Sequence, residues 1–246
     1  MTQPIRVAHA AIHPVDMAGA IDRIDAFIRE GSPHYNISIN AAKVVACEDD
    51  AELRVAVADA HLVTADGQAV VWAARLLGEH LPSRVAGADL MEHLIAHAAE
   101  RGYSVYFLGA RPNVIAGCVK RARFEHPTLR IAGARDGYFT DEDDVINELR
   151  AARPEIVFLG FGTPAKEYFM HRRYRDVGAP FVMGVGGSFD VYAGLVRRAP
   201  RFLQRAGLEW AFRLAQEPRR MWRRYLIGNS RFITIVLREL ALKVIR

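Results

Sequence analysis

Three apolar runs in this chain end at glycine in the same way: FLGARP (107–112), FLGFGTP (158–164) and FVMGVGG (181–187). Each is short and continuous, without the polar alternation of a strand that has one face in water. Such runs belong to strands covered on both faces. The strands they predict span 104–109, 155–160 and 180–184, and runs at 35–40, 61–65 and 129–133 have the same character. Between the six lie segments of helical period at 17–30, 68–78, 88–101, 113–123, 142–151 and 165–177. Strand–helix alternation of this kind predicts an α/β fold, a mostly parallel sheet with helices on both faces.

In an open sheet of that type, ligands gather at the carboxyl ends of the strands. Glycine there lets backbone N–H groups come close to a phosphate. Gly109, Gly160, Gly162, Gly184, Gly186 and Gly187 therefore point to a nucleotide site. The alternative is that they only make tight turns from strand to helix.

The alternation stops after GVGGSFDVYAGLVRRAP, and residues 201–246 read as helices alone, one restarting at Pro218, which a first helical turn tolerates. This predicts two units, an α/β core over 1–200 and a helical appendage over 201–246. The appendage holds eleven Lys/Arg against three Asp/Glu, a formal +8 that leaves −3 for the other 200 residues. Its centre, EWAFRLAQEPRRMWRRYL (209–226), mixes arginine with aromatic residues. That mixture suits a polyanionic ligand or an anionic membrane surface. Nucleic acid is set aside, because no nucleic-acid-binding motif accompanies the charge.

The last segment, 231–246, gathers Phe232, Ile235, Val236, Leu240 and Val244 near one face. Two uses are open to that face: lying in a bilayer interface, or packing on the body or another subunit. No run approaches the roughly 18 to 20 apolar residues of a membrane span, and the N-terminus lacks the pattern of a signal peptide. The expectation is a cytoplasmic protein that lies on a membrane rather than crossing it.

Other chemistries find little support. Cys47 and Cys118 lack metal or disulfide spacing and read as reduced structural residues. Asp141-x-Asp143 invites a metal reading, but Thr140 or Asp141 ahead of acidic residues is what a helix start needs for capping and dipole reasons. No H-E-x-x-H, no G-x-S-x-G and no dinucleotide G-x-G-x-x-G after the first apolar strand occurs. Neither a metal nor a cofactor is expected.

Several blocks together resemble one family. SINAAKVV, TADGQAVVWAARLLG, RVAGADL, FLGARP, DGYF, FLGFGTPAKE, GVGGSFDVYAGLVRRAP and GLEWAFRLAQEPRRMWRRYL follow in order over nearly the whole chain. They are similar to the WecG/TagA/CpsF glycosyltransferases, glycosyltransferase family 26. The resemblance implies a Rossmann-like α/β fold with a C-terminal helical appendage that touches the membrane. It implies inverting, metal-independent transfer of a sugar, N-acetylmannosamine or another hexose, from a UDP-sugar to a polyprenyl-diphosphate-linked sugar in bacterial cell-surface polysaccharide synthesis. The enzyme would work at the inner face of the cell membrane, with homo-oligomerisation left open. A second class also stays open: a non-catalytic accessory subunit of a partner glycosyltransferase in capsule or exopolysaccharide synthesis.

Position by position, Asp66 in TADG matches the family's catalytic base, although Asp is also a common cap for a helix starting near Gln68. Ser38 and Asn40 match pocket residues and, two apart on a strand, would share a face; their presence with Asp66 favours the enzyme. Asp89 is open between ligand binding and a helix start. Gly184, Gly186 and Gly187 match the diphosphate side, with Asp190 as sugar ligand or local cap. Arg213, Arg220 and Arg223 match positions expected to reach the diphosphates. One departure stands out: where many members read P-K-Q-E, this chain has Pro164-Ala165-Lys166-Glu167, so Lys166 and Glu167 bear on donor choice.

Overall fold

Strands with apolar residues on both sides need a helical layer above and below, and the computed structural model, which describes residues 3–205, 207–216 and 218–244, has both. Two short strands, β1 (Ile5–Val7) and β2 (Ala10–Ile12), form an antiparallel hairpin. The main sheet comprises β3 (His34–Ile39), β4 (Leu62–Ala65), β5 (Ser104–Gly109), β6 (Arg130–Arg135), β7 (Ile156–Gly160) and β8 (Phe181–Gly184). Its order is β4-β3-β8-β7-β5-β6 and every pairing is parallel. The α/β expectation holds, and all six strands fall within two residues of the runs read from the sequence.

Alternate residues of each strand feed two cores. On one side Ile37, Ile39, Leu108, Val157, Leu159 and Val182 meet helices α2 (Ala41–Asp49), α3 (Ala51–Ala58), α4 (Gln68–Leu76), α7 (Glu142–Ala152) and α8 (Ala165–Arg173). On the other, Leu62, Phe107, Phe158, Phe181 and Met183 meet α1 (Met17–Glu30), α5 (Gly87–Arg101), α6 (Pro112–Glu125) and α9 (Ser188–Tyr192). Both cysteines are free and buried in these layers.

The termini of the helices follow local chemistry. Asp16, Asn40 and Asp50 accept from backbone N–H groups at the starts of α1, α2 and α3. Asp141 accepts from Asp143 N at 2.8 Å and caps α7, the use expected of it over a metal. Helices α2 and α3 and the β1–β2 hairpin have no counterpart in the sequence reading. The hairpin is useful where it lies: beyond β2, His13 N donates to Val63 O at 2.9 Å and His13 Nδ1 accepts from Val63 N at 3.0 Å. The outer edge of β4 is thereby paired rather than open.

Residues after 200 form α10 (Arg201–Arg205), α11 (Glu209–Gln216) and α12 (Pro218–Val244). Helix α12 lies against α2. Phe232 and Val236 are buried in the core beside α2, with Ile235 and Leu240 packed against it. Of the two uses open to that face, the structure shows packing on the body; Val244's side chain lies outside the described residues. Exposed ion pairs of the Arg231–Asp49 type, bidentate at 2.7 and 2.8 Å, add little each. The apolar face therefore holds the tail. Phe232→Ala is expected to lower unfolding free energy by about 3 kcal/mol and to expose the arginine-rich tail to trypsin before the body. Denaturant unfolding with timed proteolysis checks both, and an unaltered tail would mean the contact is incidental.

Candidate active site

The carboxyl ends of β3 and β4 open into a cavity of about 550 Å³, roofed by α11 and α12. Its polar floor carries Asn40 and Asp66, its side Arg84, Arg198 and Glu209, and its remaining wall is mostly apolar, with Trp72 and Leu76 of α4 and Ile233 and Leu237 of α12 beside the polar Ser188 and Asn229. Those four apolar residues are also about half exposed, so the apolar wall runs out to the surface.

Asp66 follows β4 directly, its backbone N–H bonded to Ile39 O at 2.8 Å. Its carboxylate does not cap α4, whose start at Gly67 has no side-chain cap. Instead Oδ1 accepts from Gly87 N, at the start of α5, at 3.1 Å. Burial raises its pKa to about 6, against the lowering effects of the Gly87 N–H, Lys43 and Arg84; Glu209 adds to the rise. A carboxylate poised near neutrality in a cavity has the properties of a general base.

Ser38, Asn40 and Asp66 do come together. A Cβ on Gly87 would stand 3.3 Å from Ser38 Oγ and 3.9 Å from Asp66 Oδ2, and one on Gly67 would stand 3.4 Å from Asn40 Cβ. The side chains differ in use from a shared strand face. The strand ends at Ile39, so Asn40 lies beyond it and its Oδ1 caps α2 by accepting from Lys43 N at 3.0 Å. Ser38 Oγ is buried and within 3.1 Å of Thr64 Oγ1.

Behind this floor lies a cluster that the sequence reading recognised only in part. Glu167 is fully buried, and its Oε1 receives Lys43 Nζ and Lys166 Nζ, both at 2.7 Å. Lys43 also donates to Ser38 O at 2.7 Å, and Lys166 to the Thr163 hydroxyl. Burial, with Lys43 beside it, pushes the Lys166 amine down to about 8. Burial alone would raise the Glu167 carboxyl, but the two lysines hold it below its ordinary value. Lys166 is thus tied into the protein beneath the cavity floor and does not line the cavity. Lys43 was missed, although one lysine in the apolar stretch AAKVVA is the signature of a buried, paired cation.

A second network lines the side of the cavity. Arg198 makes a bidentate pair with Asp89, Nη2 to Oδ2 being 2.8 Å. Glu209 reaches Arg198 Nε at 3.4 Å and Arg84 Nη1 at 3.1 Å. Asp89 is held below its usual pKa by Arg198 despite burial. Arg84, Arg198 and Glu209 had no place in the sequence reading, since their pairing joins Arg84 to a segment more than a hundred residues away.

The glycines divide. A Cβ on Gly109 would meet Gly160 backbone atoms at 2.9 Å, one on Gly160 the Phe189 ring at 2.3 Å, and one on Gly184 the end of Met170 at 2.8 Å. Backbone at Gly109 and the Phe189 ring at Gly160 are by themselves enough to require glycine, whereas at Gly184 the neighbour is the flexible end of a methionine. Gly162 and Gly187 face open space, and Gly186 has a φ of 53° that favours glycine. Asp190 pairs with Arg111 at 3.1 Å and does not itself line the Asp66 cavity, although Ser188 and Val191 of the same helix do. The side chains of Arg213, Arg220 and Arg223 lie outside the described residues. Among the described residues no group of three or more His, Cys, Asp or Glu is placed to hold a metal, and no helix is long and apolar enough to cross a membrane.

Residues 5–244 match the Glycosyl transferase WecG/TagA/CpsF family. Over 180 residues, 73% of this chain and 69% of the relative, it is 38% identical to an N-acetylglucosaminyldiphosphoundecaprenol N-acetyl-beta-D-mannosaminyltransferase of Bacillus spizizenii strain W23. The chain belongs to the WecG/TagA/CpsF family and is a glycosyltransferase.

The raised pKa of Asp66 has a consequence for stability. A group whose folded pKa, about 6, exceeds its ordinary 3.8 stabilises the fold at low pH and loses that contribution as pH rises through 6. Asp66→Asn should therefore gain stability relative to the parent between pH 4 and pH 8, by roughly 2–3 kcal/mol. Denaturant unfolding at the two pH values measures it, and an equal difference at both would show a solvated carboxylate. Glu167→Ala, leaving two buried lysines without their anion, should cost about 3–5 kcal/mol, read in the same experiment.

Proposed function

We propose that this glycosyltransferase moves a hexose of the N-acetylmannosamine type from a UDP-sugar to a sugar carried on polyprenyl diphosphate, with inversion and without a metal ion, in bacterial cell-surface polysaccharide synthesis. The observation that carries the reading is Asp66, a carboxylate raised to about 6 at the floor of a cavity whose sides are arginine on one hand and apolar on the other. The relative's name supports both the sugar transferred and the lipid-linked acceptor.

In this reading the acceptor hydroxyl oxygen attacks the anomeric carbon from the face opposite the nucleotide. Its proton passes to Asp66 as the new C–O bond forms. The bond to UDP breaks with its electron pair on the β-phosphate oxygen, and guanidinium groups meet the growing charge in place of a metal. Arg213, Arg220 and Arg223 are proposed for that role from their positions in the family's pattern. Asn40, beside Asp66, orients the sugars, and Lys43 and Glu167 hold the floor rigid beneath them.

The apolar wall of Trp72, Leu76, Ile233 and Leu237 suits the first prenyl units of the acceptor, because it leads from Asp66 to the surface. Leu226, Ile227 and Leu242 of α12 are more than half exposed. With the basic charge of the tail, this exposed apolar surface supports peripheral attachment to the inner face of the cell membrane. Lys166 acts on donor choice through the position of Glu167 rather than by touching the sugar.

A panel of UDP-sugars, each incubated with a short-chain prenyl-diphosphate N-acetylglucosamine in detergent and EDTA, tests this. Mass spectrometry should find one added N-acetylhexosamine from a single preferred donor, at a rate that EDTA leaves unchanged. No product from any donor, with none of them raising the melting temperature, would contradict the proposal.

A further inference from the structure

Arg84 and Arg198 come to the cavity from separate segments, and their side chains are only 15% and 18% exposed. Two guanidinium groups so placed repel one another unless an anion lies between them. Glu209 supplies it, with Oε2 at 3.1 Å from Arg84 Nη1 and Oε1 at 3.4 Å from Arg198 Nε. A carboxylate bridging two arginines this way has the charge and the paired oxygens of a phosphate group.

The two sides of this bridge differ in how firmly they are built. Arg198 is fixed by Asp89, which takes both of its Nη groups, so its Nε keeps its place whatever Glu209 does. Glu209 comes from α11, in the helical tail, and is itself more exposed than either arginine at 28%. All three line the cavity that holds Asp66, and both Arg84 and Glu209 act on the Asp66 carboxyl through their charge. The arginines are a fixed seat, and the carboxylate is the part able to leave.

We infer that Arg84 and Arg198 form a diphosphate-binding seat beside Asp66, and that the Glu209 carboxylate occupies it as a displaceable stand-in until a substrate diphosphate takes its place. This deepens the proposed reaction and rests on it for the identity of the diphosphate, which nucleotide and prenyl substrates both carry. Displacement frees Glu209 and with it the start of α11, so substrate binding is felt by the tail that roofs the cavity.

The seat is tested by calorimetric titration of inorganic diphosphate, in EDTA, into the full-length protein and its Glu209→Gln and Glu209→Ala variants. Removing the competing charge turns the seat from neutral to positive, and affinity for diphosphate should rise about five- to tenfold in both variants. Adding Arg84→Gln to either should abolish the gain. Titrations with UDP and with farnesyl diphosphate identify the source, since only the ligand that uses the seat shows the same gain. Unchanged or weaker diphosphate binding in both Glu209 variants overturns the inference and makes Glu209 a structural clasp. A gain in diphosphate affinity from a protein that transfers no sugar would instead keep the seat and reject the proposed reaction.

Discussion

Everything at the floor of the cavity rests on one buried carboxylate shared by two lysines. Glu167 reaches from α8 to Lys43 of α2, and Lys43 in turn holds the Ser38 carbonyl at the end of β3. Lys43 thus ties α8, α2 and β3 together close enough to Asp66 to act on its carboxyl. Buried ion pairs add little net stability, because desolvation offsets their attraction, but removing one member leaves an uncompensated charge. The cluster therefore acts as a constraint on position more than as a source of stability. It keeps β3, α2 and α8 in one register and places a positive field under Asp66, which limits how far burial can raise that carboxyl.

The tail completes what the sheet begins. The strands supply Asp66 and Asn40 at an open edge, as their topology requires, but an open edge is wet. By burying Phe232 and Val236 against the body, α12 brings Ile233 and Leu237 over the same edge. The cavity is thus apolar on the side that faces α4 and charged on the side that faces α11. A substrate with a diphosphate between a sugar and a hydrocarbon chain has that distribution of polarity.

Much of this was legible in the sequence, and the reasons for the rest are physical. The strands announced themselves because burial on both faces leaves no polar alternation. Asp141 caps α7 where local hydrogen bonding requires it. Asp66 was readable only through family likeness, since its local sequence suits a helix cap equally well; the structure shows the carboxylate turned to Gly87 N instead. Gly109 and Gly160 looked like phosphate contacts, yet their lack of a side chain is also explained by neighbouring backbone and the Phe189 ring. Periodicity cannot tell a glycine that admits a ligand from one that admits a ring. The Arg84–Glu209–Arg198 bridge escaped for a different reason, because Arg84 lies more than a hundred residues from the other two and no local pattern links it to them.

The central claim, that Asp66 removes the acceptor proton in this cavity, is tested most directly by the pH dependence of kcat/KM for sugar transfer. With a base of pKa about 6, the parent's rate should fall tenfold per pH unit below 6 and level off above it. Asp66→Asn, folded and still binding UDP, should be slower by about 10²–10⁴-fold and lose that acidic limb. A variant that retains both the rate and the limb would show that the proton goes elsewhere.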